Sequence, residues 1–169
     1  MLSRKLNAAL NAQMNKEFYS SYAYLAAAAY FEEEELSGFA NFFRIQSQEE
    51  QQHAMRFFEY LHHAGGQCSL ESIAAPKKDF KSALGVFEHG LKQEQDLAAE
   101  ISALLNLSIA EAHAPTQIFL QWFISEQVEE EALFTRYIKK LKRVGQDSNG
   151  LILLDNELAA RKADAATAE

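Results

Sequence analysis

The chain has 169 residues and a formal net charge of −8, enough length for one domain with a sizeable apolar core. The acid excess argues against a nucleic-acid partner, since phosphate backbones attract basic surfaces. A single cysteine, Cys68, excludes a disulfide framework within the chain, and no apolar run is long enough to span a bilayer. The start, Met1-Leu2-Ser3-Arg4-Lys5, leads into mixed polar and apolar residues rather than a signal-peptide core, so the expectation is a soluble, cytoplasmic protein with no membrane partner.

Only seven glycines and two prolines stand among abundant Ala, Leu, Glu and Gln, which favours helix over sheet. Apolar periodicity divides the chain into four long helical segments and one short one. The first runs from about Ser3 to Glu34, the second from about Gly38 to Ala64, where Gly65-Gly66 ends it. The third covers about Phe80 to Ile109, and the fourth starts near Pro115, proline being tolerated in a first turn, and continues to about Val144. A short apolar segment from Leu151 to Ala160 follows Gly150, and Ala163 to Glu169 reads as a frayed tail. The two tight connections make antiparallel hairpins. The Gly65–Asp79 connection is longer than bundle loops usually are; extended, roughly fifteen residues cover about 50 Å, the length of a bundle. The expected fold is therefore all-α, a single-domain four-helix bundle with a long crossover that makes the second and third helices parallel, plus a short fifth helix.

Each long helix carries an apolar seam at spacings of three and four. The first reads Leu6, Leu10, Gln13, Glu17, Ser21, Tyr24, Phe31, and the second Phe39, Phe43, Gln46, Glu50, His53, Phe57, Leu61. The third reads Ala83, Phe87, Leu91, Glu94, Ala98, Ile101, Leu105, and the fourth Phe119, Phe123, Gln127, Glu130, Phe134, Tyr137, Leu141. A carboxylate interrupts every seam near its middle. Burying an ionised carboxylate without compensation costs several kcal/mol, like charges raise that cost, and the seams hold no Lys or Arg. Multivalent cations resolve the conflict.

Heights agree. Glu17 and His53 are equidistant from residue 35, where the first hairpin turns, and Glu94 and Glu130 from residue 112, where the second turns. With a constant rise per residue, each pair lies level across its hairpin. Glu50 and His53 form Glu-x-x-His, which places a carboxylate and an imidazole on one helix face. A Glu from each of two helices plus such a motif is the composition of a di-iron carboxylate bundle.

At these residues the sequence resembles the bacterial non-haem ferritins, over nearly the whole chain. The marks are Glu17 with Tyr24, Glu49-Glu50-Gln51-Gln52-His53, Glu94, and Trp122 through Gln127-Val128-Glu129-Glu130. The resemblance implies iron storage in a homo-oligomeric shell of twenty-four subunits, with a ferroxidase activity that oxidises Fe(II) by O₂ or H₂O₂ and deposits a ferric mineral. It implies that Glu17, Glu50 and His53 hold one iron and Glu50, Glu94 and Glu130 the other, Glu50 bridging, with Gln127 a weak ligand or hydrogen-bonding neighbour. It also implies a third iron at Glu49, Glu126, Glu129 and Glu130, and a redox or supporting part for Tyr24. From the same resemblance, the short last segment joins neighbours around a four-fold axis; packing on its own subunit is the other reading.

Bacterioferritins share the bundle and bind haem between subunits through a methionine two residues before the second-helix histidine. Here that position is Gln51, and the fourth helix reads Gln127-x-x-Glu130 rather than Glu-x-x-His, so no haem is expected. The paired cysteines of a rubrerythrin are missing as well. A metal-buffering shell with weak oxidation activity is the remaining alternative.

Overall fold

Ser3 opens the first helix: its Oγ accepts a hydrogen bond from Leu6 N at 3.0 Å and satisfies one of the amides a helix start leaves unpaired. Among residues 1–163, which the computed structural model describes, the chain forms five helices and no strand. They are α1 (Arg4–Glu33), α2 (Ser37–His63), α3 (Ala83–Ala110), α4 (Ala114–Val144) and α5 (Ser148–Ala159). Most of the expected frayed tail lies outside the described residues.

Two helices begin elsewhere than the periodicity suggests. α3 starts at Ala83 instead of Phe80, because Ser82 Oγ accepts from Gly85 N at 3.1 Å and sets the boundary. α5 starts at Ser148, since Asp147 caps it through Asn149 N, and it runs through Gly150. At α4 the cap is His113, whose Nδ1 lies 2.8 Å from Thr116 Oγ1, with Pro115 in the first turn. That histidine, with no part assigned from sequence, is a capping residue.

The ends of α1, α2 and α3 share one device. At Glu35, Gly65 and Ala112 the backbone turns left-handed, with φ of 57°, 71° and 52°. The next amide reaches back to the carbonyl five residues earlier: Leu36 N to Phe31 O, Gly66 N to Leu61 O, His113 N to Ser108 O, all 2.8–2.9 Å. Residues 35 and 112, the expected hairpin centres, are two of these three turns.

Direction follows from partners. Between α1 and α2, Ser21 and Ser47 exchange reciprocal hydroxyl-to-carbonyl bonds of 2.7 Å and Glu32 meets Arg44, the numbers running oppositely. Between α1 and α3, Ser3 meets Glu111, Lys16 meets Glu100 and Tyr24 meets Glu94, the numbers running oppositely. α1 is antiparallel to both, so α2 and α3 are parallel, as the crossover length requires. The crossover is pinned to α1 by three asparagines. Asn7 Oδ1 accepts from Gln67 N at 2.9 Å, Asn11 Oδ1 from Ser69 N at 2.6 Å, and Asn15 Oδ1 from Glu71 N at 2.9 Å. Their Nδ2 groups donate to the crossover carbonyls Gln67 O and Ser69 O. Four helical residues rise about 6 Å and two extended ones about 6.6 Å, so the two spacings stay in step.

Two apolar cores fill the bundle. One gathers Phe31, Phe39, Phe42, Phe43, Phe87, Phe134 and Tyr137 with Leu154 and Leu158 of α5; the other gathers Leu6, Leu10, Met14, Phe57, Leu61, Ile101, Leu120 and Phe123. The seam of α3 is rotated from the expected one: Gly90, Leu97 and Leu104 are buried, while Leu91, Ala98 and Leu105 are half-buried. On α1, Ser20 is buried and Ser21 is not fully so, and on α4 Leu120 takes the interior place expected of Phe119. Among the described residues no helix is long and apolar enough to cross a membrane.

Candidate metal centre

Between the two apolar cores lies a layer of buried polar side chains, one set from each long helix: Gln13 and Glu17 on α1, Gln46, Glu50 and His53 on α2, Glu94 on α3, Gln127 and Glu130 on α4. Helical spacing puts Gln13 one turn before Glu17 and Glu50 beside His53, while the level hairpins bring the four helices' acids to one height.

Glu17, Glu50 and His53 each offer a ligand atom within 4.8 Å of the others. His53 Nδ1 lies 3.4 Å from Glu50 Oε2, close without hydrogen-bond geometry. Glu94 and Glu130 do not join that trio through their ligand atoms. Their carboxylates are engaged by neighbours, yet their charges still act on Glu50.

Three of the four acids receive a glutamine amide. Gln13 Nε2 donates to Glu17 Oε1 at 2.7 Å, Gln46 Nε2 to Glu130 Oε2 at 2.8 Å, and Gln127 Nε2 to Glu94 Oε2 at 3.0 Å. Tyr24 OH donates to Glu94 Oε1. Glu50 differs: both of its oxygens are buried with no donor, and Glu17 Oε2 and His53 Nδ1 are likewise unpartnered. Such groups cost free energy unless something satisfies them. When the acids are ionised, a cation can do so, and carboxylate oxygens with one imidazole suit iron, with Zn(II) or Mn(II) also accepted. The donor set fits a metal pair.

Electrostatics carry the same message. Burial, followed by repulsion from Glu50, pushes Glu17 well above the ordinary carboxylate range. Burial and the charges of Glu94 and Glu130 push Glu50 well up. Glu94 is also raised by burial, although the Tyr24 and Gln127 donors work against the shift. Glu130 is pushed up to about 8 by burial and then by Glu94 and Glu49. Tyr24 is raised by burial and by Glu94, and so keeps the proton it donates.

Glu49, Glu126 and Glu129 lie apart from this centre. With Glu130, Arg136 and Arg161 they line a separate pocket of about 330 Å³. Glu49 precedes Glu50 by one residue, about 100° around the helix, which turns it away from the central acids. Trp122 packs edge-on to His53, ring centroids 5.3 Å apart, beneath the Arg56 guanidinium. His62 and His63 are exposed, and His89 is half-buried against Phe80.

Residues 7–144 match the ferritin-like domain family. The chain belongs to the ferritin family. It is 44% identical over 164 residues to a bacterial non-haem ferritin of Staphylococcus saprophyticus, covering 97% of this chain and 98% of that one. A bacterial non-haem ferritin of Staphylococcus aureus is 42% identical, covering 97% and 99%. Among solved structures, a closed form of the Archaeoglobus fulgidus ferritin, engineered by mutagenesis, superposes with a TM-score of 0.95 at 40% identity, covering 96% and 99%. A humanized archaeal ferritin gives 0.96 at 39%, covering 98% and 100%. Ferritin membership makes iron storage the function class, and the Glu17–Glu50–His53 cluster is compatible with a di-iron site.

Three features of this ferritin escaped the sequence. Gln13 stands in its seam one turn before Glu17, a spacing that could have marked the two as partners, whereas Gln46, one turn before Glu50, donates across the bundle to Glu130 instead. Arg161 carries no such signal, because only the docking of α5 brings it to the acids.

Proposed function

We propose that this ferritin is a cytoplasmic ferroxidase that takes Fe(II) as substrate at the mid-bundle centre and passes ferric iron to a mineral inside a twenty-four-subunit homo-oligomer. The observation that carries it is Glu50, the one central acid with neither oxygen given a donor. A carboxylate with both oxygens available can bridge two ions. Glu17, Glu50 and His53 hold one ferrous ion and Glu50, Glu94 and Glu130 the other. Two ferrous ions together supply two electrons to O₂ or H₂O₂.

The chain's own residues prepare the site. Gln13, Gln46 and Gln127 each fix one carboxylate, so that little reordering accompanies loading. Tyr24 holds Glu94 and keeps a proton beside it. Gln127 stays a hydrogen-bonding neighbour that can turn its carbonyl to a metal. Glu49, Glu126, Glu129 and Glu130 form a third-iron pocket beside the pair. Haem plays no part, position 51 being an exposed glutamine.

The test is anaerobic Fe(II) titration followed by stopped-flow oxidation, with mass measurement of the assembly. Two tight ferrous equivalents per subunit, rapid oxidation and a twenty-four-subunit mass are expected. Tight binding without a fast oxidation phase would leave metal buffering as the function.

A further inference from the structure

We propose that Arg161, which pairs with Glu49 in the pocket lined by Glu49, Glu126, Glu129, Glu130 and Arg136, is a built-in competitor for that carboxylate and withdraws from Glu49 when a third metal ion binds there. This rests on the third-iron reading of that pocket. The arginine is placed by several contacts. Its Nη2 donates to Glu49 Oε2 at 3.0 Å, and its Nη1 to Gln46 Oε1 at 2.6 Å. The guanidinium carbon stands 4.5 Å from the Phe42 ring centroid, a cation held over an aromatic face. The backbone is tied down too, since Asn41 Nδ2 donates to Leu158 O and Arg161 O, both at 3.1 Å. Both members of the ion pair are mostly shielded from water, with side-chain exposures of 18% and 16%.

The chemistry then sets two cations against each other. Four carboxylates lining one pocket repel, and the two guanidinium groups that line it with them, Arg136 and Arg161, offset this before any metal arrives, Arg161 by pairing directly with Glu49. A metal ligated by Glu49 competes with the guanidinium for the same carboxylate, and like charges disfavour holding both. The third site is therefore weaker than its four acids imply, and it fills after the central pair. The Gln46 contact adds a link: Gln46 Nε2 donates to Glu130, which faces both the pocket and the central site. Withdrawal of Arg161 frees the carbonyl end of that amide.

The experiment is anaerobic titration of the assembled full-length protein with Fe(II), followed by calorimetry, for wild type, Arg161→Gln, Arg161→Lys and Glu126→Ala/Glu129→Ala. In Arg161→Gln the third equivalent should tighten roughly tenfold relative to the first two. Arg161→Lys, which keeps the charge, should stay near wild type. An unchanged ratio in Arg161→Gln, or equal tightening in Arg161→Lys, overturns the proposal and leaves the pocket standing. The third-iron reading itself fails if the double alanine variant keeps a full third equivalent, or if neither wild type nor Arg161→Gln shows one. Should Arg161→Gln not assemble, wild-type crystals soaked in Fe(II) decide. The guanidinium should have left Glu49 in the loaded pocket, and a metal on Glu49 with Arg161 still at hydrogen-bond distance would refute the exchange.

Discussion

Glu50 sits at the centre of the polar layer, and its lack of any donor sets it apart from Glu94, which Tyr24 and Gln127 hold. Glu50→Ala should therefore slow the fast oxidation phase of the proposed ferroxidase more than Glu94→Ala, because in the proposed site one substitution touches both ions and the other only one. An unaltered fast phase in Glu50→Ala would exclude bridging. The raised acids also set a pH dependence for the metal-free protein. Each has a folded pKa above the ordinary 4.5, so its stabilising contribution is complete below that value and is lost as pH rises through the folded pKa, about 8 for Glu130. Calorimetry of the apoprotein should show the melting temperature falling between about pH 5 and 8, and Glu130→Gln, neutral throughout, should flatten the fall. Bound metal should reverse the trend, since cations favour the ionised acids. Flat apoprotein stability across that window would contradict the burial argument.

The helices are joined by devices whose worth can be tested singly. Ala112 occupies a left-handed turn that costs a non-glycine residue about 1–2 kcal/mol, so Ala112→Gly should stabilise by up to about 1 kcal/mol after the entropy of glycine is subtracted. Gly65→Ala should do the reverse, because open space around the new Cβ leaves backbone strain as its whole effect. Thermal unfolding of the pair checks both signs. On the crossover, Asn11→Ala removes the bonds to Gln67 O and Ser69 N and should cost about 1–3 kcal/mol, with faster proteolysis of residues 64–82 as the local readout. α5 is held by Leu154, Leu158 and Asp155, whose Oδ1 accepts from Phe39 N at 2.9 Å and so caps α2, whose own N-cap Leu36 cannot. Gly38 permits this approach: a Cβ there would lie 1.8 Å from Asp155 O. Gly38→Ala should lift α5 off the bundle, seen as hydrogen exchange rising in α5 and at the α2 start.

At the scale of the whole molecule, α5 presents two faces. Leu154 and Leu158 are buried on their own subunit, while Ile152 and Leu153 are 56% and 70% exposed. Self-packing therefore accounts for half of the apolar segment, and the outward half is available to the neighbours the proposed shell supplies. Ile152→Ser/Leu153→Ser should weaken assembly, as the mass of the oligomer reports, without unfolding the subunit. Expression with ample haem should give no stoichiometric Soret absorbance, and a bis-methionine haem signature would refute the non-haem reading.

Local geometry made much of this ferritin readable from the chain alone. Rise per residue and side-chain direction are constants of the helix, so counting residues about positions 35 and 112 was enough to level Glu17 with His53 and Glu94 with Glu130. The cost of burying unpaired acids then points to cations from the seams alone. Contacts between remote segments were not readable. Nothing at Arg161 announces Glu49, and nothing at Asp155 announces the start of α2, because such meetings depend on where α5 lands. The face of α3 is the clearest case: Leu91, Ala98 and Leu105 make as good an apolar stripe as Gly90, Leu97 and Leu104. The choice fell to the second stripe because Phe134 of α4 occupies the space beside Gly90, its ring carbon 2.3 Å from where a Cβ would stand.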